Sequence, residues 1–244
     1  MFVKICGITN VGDALLSVAL GADAVGFVFA PSVRQVGKEQ VKEIVMQLPS
    51  EILTIGVFVN ERPESVVRMV HEIGLSGAQL HGSEGPSSVE YISERVPLVL
   101  KGFSGEAPSL ARFSQFKASA ILVDSASPGS GTSFDWREIE GLSSRVRLIL
   151  AGGLRPDNVE KAIHTVRPFG VDVSSGVEAR PGKKDPAKLR AFIARARSAF
   201  AAIHRGVESG SDPDANPFVR DLIAQRSAIL ERETDRVFDW EEEL

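Results

Sequence analysis

Eight short apolar runs recur along the chain: FVKIC, AVGFVF, LTIGVFV, GAQL, LVLKGF, AILVD, VRLILA and GVDV. Each is rich in Val, Ile, Leu and Phe and bounded by Gly or polar residues, the pattern of a strand buried on both faces. Between them lie helical patterns at roughly 11–20, 37–48, 63–73, 85–95, 107–115, 136–142, 156–166 and 186–203. Several carry start signals: Asn10 before the first, Pro63-Glu64 at the third, Pro156-Asp157 at the seventh and Asp185-Pro186 at the eighth. Strands that bury both faces need a helical layer outside them. Eight such units predict an α/β fold, a single compact (β/α)8 barrel over residues 1–204. An open doubly wound sheet is the rival, but no GxGxxG follows the first strand.

A length of 244 residues with 43% hydrophobic content suffices for one large core. Cys6 is the only cysteine, which excludes an internal disulfide framework and a multi-Cys metal site and fits a reducing compartment. The N-terminus enters a strand pattern directly, without the basic and apolar regions of a signal peptide. No apolar stretch is long enough for a membrane span, so the expected location is the cytoplasm. The net charge of −4 is unevenly spread: residues 205–244 hold five Arg against eleven Asp or Glu, leaving the rest slightly positive. That near-neutral body offers no basic stripe for nucleic acid. After His204, GVESGSDPDANP reads as a linker. Phe218, Leu222, Ile223, Ile229 and Leu230 then follow at helix-like spacing before the acidic end DWEEEL. Residues 205–244 are therefore expected to form a C-terminal extension: a helix docked on the barrel, a partner-binding helix or a largely disordered tail.

In such barrels the working residues come from the C-terminal ends of strands and the loops that follow. Those positions hold Cys6, Arg34, Gln79, His81 and Asp124, then AGGL after strand 7 and SSGVE after strand 8. Glycines let backbone N–H groups close on an anion, and serine hydroxyls add donors. Gly152 and Gly153 in one loop, with Ser174, Ser175 and Gly176 in the next, make an expected phosphate cradle. Asp124 ends an otherwise apolar strand, where lost solvation suits a carboxyl to giving a proton near neutral pH. Its bland alternative is a cap for the loop that follows. Cys6 is either a small core residue or, across the barrel mouth from Asp124, a base, provided neighbouring donors favour its thiolate. Arg34 offers a planar fork for a carboxylate, or is simply a solvated loop residue. His81 and Gln79 either touch substrate or support the strand end. The four histidines show no ligand spacing, so no metal is expected. Strand alternation is taken to turn Lys4 away from Cys6, toward the rim or an acidic partner.

KICGIT, GFVFAPSVRQV, GVFVN, QLHG, LVD followed by GSGTSFDW, LAGGL, and DVSSGVE followed by PGKKD together resemble the phosphoribosylanthranilate isomerase family over about residues 2–200. The resemblance implies an Amadori rearrangement in tryptophan biosynthesis, without cofactor. In that reaction N-(5-phosphoribosyl)anthranilate becomes 1-(2-carboxyphenylamino)-1-deoxyribulose 5-phosphate. It implies Cys6 as general base, Asp124 as general acid and Arg34 as holder of the anthranilate carboxylate. Gly152, Gly153, Ser174, Ser175 and Gly176 would bind phosphate, and Gly131 and Phe134 would help cover the substrate. His81 is a further expected substrate contact. The partner is then a small phosphosugar rather than nucleic acid or membrane, and the assembly a monomer or homodimer. Residues 205–244 have no counterpart in this pattern. The alternatives are a histidine-pathway isomerase, which relies on two aspartates and two phosphate sites, and a non-catalytic phosphosugar-binding barrel.

Overall fold

The computed structural model describes residues 1–104, 113–124 and 146–205. The apolar runs form the strands β1 (Phe2–Ile5), β2 (Ala24–Val28), β3 (Leu53–Phe58), β4 (Gly77–Leu80), β5 (Leu98–Ser104), β6 (Ala120–Asp124), β7 (Leu148–Leu150) and β8 (Gly170–Val173). They pair in chain order into a closed barrel. Its seam is parallel, with Phe2 opposite Gly170, Lys4 opposite Asp172 and Ile5 opposite Val173. The (β/α)8 expectation is met.

Strand parity divides the apolar residues into two cores. Phe2, Ala24, Leu53, Leu98, Leu100 and Leu122 pack inside the cylinder. The alternate positions, such as Val3, Val25, Val99 and Val171, face the helical layer. That layer comprises, among the described residues, α1 (Val11–Ala19), α2 (Lys38–Val45), α3 (Pro63–Ile73), α4 (Pro86–Ser93), α5 (Val159–Val166) and α6 (Pro186–Arg205).

Three of the four start signals act as expected, whereas the helix expected from Pro156-Asp157 begins only at Val159. Asn10 Oδ1 accepts the Asp13 N–H at 2.9 Å and caps α1. Pro63 opens α3, which ends on Gly74 in the left-handed region at φ 78°. The Asp185 carboxylate accepts the N–H groups of Ala187 and Lys188 at 2.9 and 3.0 Å, fixing the start of α6. The expected helix at 107–115 is described only at Phe113–Gln115, where the chain makes a 3-10 turn. The expected helix at 136–142 lies outside the described residues, as does the extension beyond Arg205.

One element escaped the sequence pattern. After β8 a 3-10 turn at Ser175–Val177 leads into a small antiparallel hairpin, β9 (Glu178–Arg180) and β10 (Lys183–Lys184). Asp13 Oδ2 accepts the Lys184 N–H at 2.8 Å, which ties the hairpin to α1. Among the described residues no helix is long and apolar enough to cross a membrane.

Candidate active site

Cys6 follows the last residue of β1, and its N–H donates to Val173 O at 2.8 Å, so the β1–β8 ladder fixes it at the mouth. Phe2 lies in the inner core, and residues two apart on a strand share a face. Lys4 and Cys6 therefore both point inward. This corrects the expectation that alternation separates them; the acidic partner expected for Lys4 is present. Lys4 Nζ donates to Asp172 Oδ1 at 2.9 Å inside the barrel, with its side chain fully buried. Gly26 on β2 makes room: a Cβ there would lie 2.9 Å from Cys6 Sγ and 3.0 Å from Lys4 Nζ. Burial pushes the Cys6 thiol up. Lys4 pulls it down, Asp172 pushes it up again, and the net shift is upward. The donors expected around the thiol are there, but desolvation outweighs them.

Arg34 is no solvated loop residue. Its Nε and Nη2 donate to Glu178 Oε1 and Oε2 at 2.8 and 2.7 Å, a two-pronged pair. Lys184, buried beside it, donates to Glu178 Oε1 at 3.1 Å, Cys6 O at 2.7 Å and Ser174 O at 3.1 Å. Gly7, at φ 70°, lets Arg34 lie against the end of β1. A Cβ there would stand 2.6 Å from Arg34 Cδ and 2.7 Å from Ser174 Oγ. Burial alone would raise the Glu178 carboxyl, but Arg34 and Lys184 hold it below the usual glutamate value. Glu178 and Lys184 were missed as site residues, although both lie in stretches already marked by motif, SSGVE and PGKK.

Asp124, in register with the inward Ala120 and Leu122 of the same strand, also faces the interior. His81 Nε2 lies 3.5 Å from its Oδ2, and Gln79 Nε2 lies 3.0 Å from His81 Nδ1. Gly102 on β5 opens the space for that ring, since a Cβ there would fall 2.3 Å from Nδ1. Asp124 Oδ1 and Gln79 Oε1 are buried and accept no hydrogen bond from the described residues. A buried carboxyl oxygen without a protein donor is a place where a substrate atom can bind. Beneath His81, Lys101 donates to Gly82 O at 2.7 Å and Glu84 Oε2 at 2.9 Å, bracing the loop after β4.

The loops after β7 and β8 are neighbours because Ile149 pairs with Gly170 and Leu150 with Val171. Gly152 and Gly153 take φ of 77° and 63°, the left-handed turn that glycine allows. Asn158 spans that loop, donating to Gly153 O at 2.9 Å and accepting the Arg155 N–H at 2.7 Å. Gly176 packs against it so closely that a Cβ would sit 1.8 Å from Leu154 O. Ser174 and Ser175 open the 3-10 turn beside them. The geometry brings the five expected phosphate residues to two touching loops. Gly131 and Phe134 lie outside the described residues. Among the described residues no group of three or more His, Cys, Asp or Glu could hold a metal ion.

Residues 3–195 match the model of the family described as N-(5'-phosphoribosyl)anthranilate (PRA) isomerase. The chain belongs to the PRA isomerase family. A curated PRA isomerase from Desulforudis audaxviator is 46% identical over 202 residues, covering 81% of this chain and 98% of that protein. The crystal structure of the Thermotoga maritima PRA isomerase is 45% identical, covers 81% of this chain and 99% of its own, and superposes with a TM-score of 0.75. A second PRA isomerase crystal structure holds reduced 1-(o-carboxyphenylamino)-1-deoxyribulose 5-phosphate. It is 44% identical over the same shares, with a TM-score of 0.73. The family model thus spans β1 to the middle of α6.

Proposed function

We propose that this chain catalyses the PRA isomerase reaction of tryptophan biosynthesis with Cys6 as general base and Asp124 as general acid. The observation that carries the reading is the inward placement of both groups at the C-terminal ends of β1 and β6, at the same mouth as the two glycine–serine loops. The phosphate of N-(5'-phosphoribosyl)anthranilate binds at Gly152, Gly153, Ser174, Ser175 and Gly176, where backbone N–H groups can turn on an anion. Arg34, already oriented by Glu178, takes the anthranilate carboxylate at the other end.

Between these anchors Asp124 donates its proton to the furanose ring oxygen, and the ring opens to a Schiff base. Cys6 then removes the C2 proton, giving an enolamine that tautomerises to the ketone. His81, 3.5 Å from Asp124 Oδ2, stands on the side from which the resulting carboxylate is stabilised. A positioned acid and a positioned base each contribute about 10²–10⁴-fold. The test is turnover of N-(5'-phosphoribosyl)anthranilate by the purified full chain, with the bisphosphate substrate of the histidine pathway offered in parallel. Turnover of the anthranilate compound alone is expected. Turnover of the bisphosphate compound alone would move the chain to the alternative chemistry, and binding without turnover of either would leave a non-catalytic barrel.

A further inference from the structure

A buried thiol needs a counter-charge before it can work as a base, and three cations stand near Cys6. Lys184 has three N–H donors, and each already has an acceptor: Cys6 O, Ser174 O and Glu178 Oε1. Arg34 turns its fork into the two oxygens of Glu178. Lys4 is different. Its ammonium gives one donor to Asp172 Oδ1 at 2.9 Å and, on the same strand face as Cys6, keeps the others for the sulfur side. The point where a Gly26 Cβ would stand is 3.0 Å from Lys4 Nζ and 2.9 Å from Cys6 Sγ, so no side chain from β2 comes between them.

We infer that Lys4 is a positioning residue for the reaction: its ammonium, anchored by Asp172 inside the barrel, faces the Cys6 sulfur and supplies the charge against which the thiolate forms. This inference rests on the reading of Cys6 as the base. The charged groups that face the thiol are Lys4 from β1, Asp172 from β8, Lys184 from β10 and Arg34 from the loop after β2. β2 itself contributes only the bare Gly26 at this level. Asp172 works in two directions. It disfavours a second negative charge, yet without it the lysine would be an unpaired cation in an apolar cylinder, which is the costlier arrangement. Burial works against the Lys4 charge, but Asp172 and Cys6 hold it above the ordinary lysine value, so the ammonium is present throughout the working pH range.

Because Cys6 is the only cysteine, thiolate formation can be followed by its ultraviolet absorbance against pH, with the matched Cys6→Ser protein as baseline. Lys4→Met, and the neutral pair Lys4→Met with Asp172→Asn, are compared with wild type in the full chain. The titration midpoint of Cys6 is expected to rise by about one pH unit or more in Lys4→Met, and in the same direction but by less in the double variant, which also loses the opposing charge of Asp172. The turnover number should fall about tenfold or more with little change in KM, as for a group that acts only on the reacting thiol. Lys4→Arg should restore the wild-type midpoint. If both Met variants stay folded and titrate like wild type, the inference fails. The thiol midpoint is read without substrate, so it decides this inference alone; near-normal turnover of Cys6→Ser would instead sink the reading on which it rests.

Discussion

A thiol as enclosed as Cys6, 7% exposed, ionises at the expense of its hydration, and that loss outweighs the help Lys4 gives. With its pKa above the ordinary cysteine value, the thiolate fraction grows as pH rises through the alkaline side of neutrality. kcat/KM should therefore climb with pH on the limb set by the free enzyme, and a flat profile there would count against Cys6 as base. Cys6→Ser and Asp124→Asn should each lower turnover by about 10²-fold or more while the far-ultraviolet dichroism stays that of the native barrel. Arg34→Ala should act mainly on KM, read from initial rates, because the role proposed for it is to bind the anthranilate carboxylate rather than the reacting carbons. The placement of Cys6, Asp124 and Arg34 at the barrel mouth could be read from the sequence because each sits at a strand end or in the loop after one. Glu178 and Lys4 could not. Their meaning comes from partners 144 and 168 residues away, and no local spacing encodes those pairings.

Elements carry a second set of charges that do no chemistry. Lys101 of β5 reaches Leu80 O, Gly82 O, Gly102 O and Glu84 Oε2, and Glu84 accepts the N–H groups of Asn60 and Gly82. One buried pair thus locks the ends of β3, β4 and β5 around His81. Burial would raise the Glu84 carboxyl, but Lys101 and the Asn60 N–H hold it below the usual glutamate value. A depressed carboxylate stabilises the fold above its unfolded value, about pH 4.3, and loses that contribution as pH falls through the lower folded value. Lys101→Met should cost about 3–5 kcal/mol in chemical denaturation at neutral pH, the usual result of stripping one member from a buried pair. The midpoint of acid unfolding should move up with it. Helix starts were legible because Asn10, Pro63 and Asp185 act within a few residues of where they stand. The β9–β10 hairpin was not: strands of three and two residues, mostly charged, carry no apolar period to detect.

At the scale of the whole molecule, the barrel was legible because eight separate runs repeat one pattern, and a wrong reading of any one would still have left seven repeats of it. The register of closure was less accessible, since every strand is apolar on both faces and only Lys4 opposite Asp172 marks the seam by charge. The family match ends at residue 195, and α6 packs Phe192, Ile193, Ala196 and Phe200 into the core before ending at Arg205. We propose that residues 1–204 are the catalytic unit. A chain ending at Arg205 should keep the turnover and thermal midpoint of the full protein, measured side by side. Loss of either would make residues 206–244 part of the folded unit.

The pairing of the first strand with the last also sets a schedule. On the ribosome β1 emerges long before Asp172 has been translated, so an incomplete nascent chain holds an apolar strand with a lone ammonium in its middle. Packing that strand early would trap a bare charge, and the growing polypeptide has reason to leave it unpacked until its final strand arrives. Barrel closure by β8, rather than the last residue of the chain, is then the step that completes the buried pair beside Cys6.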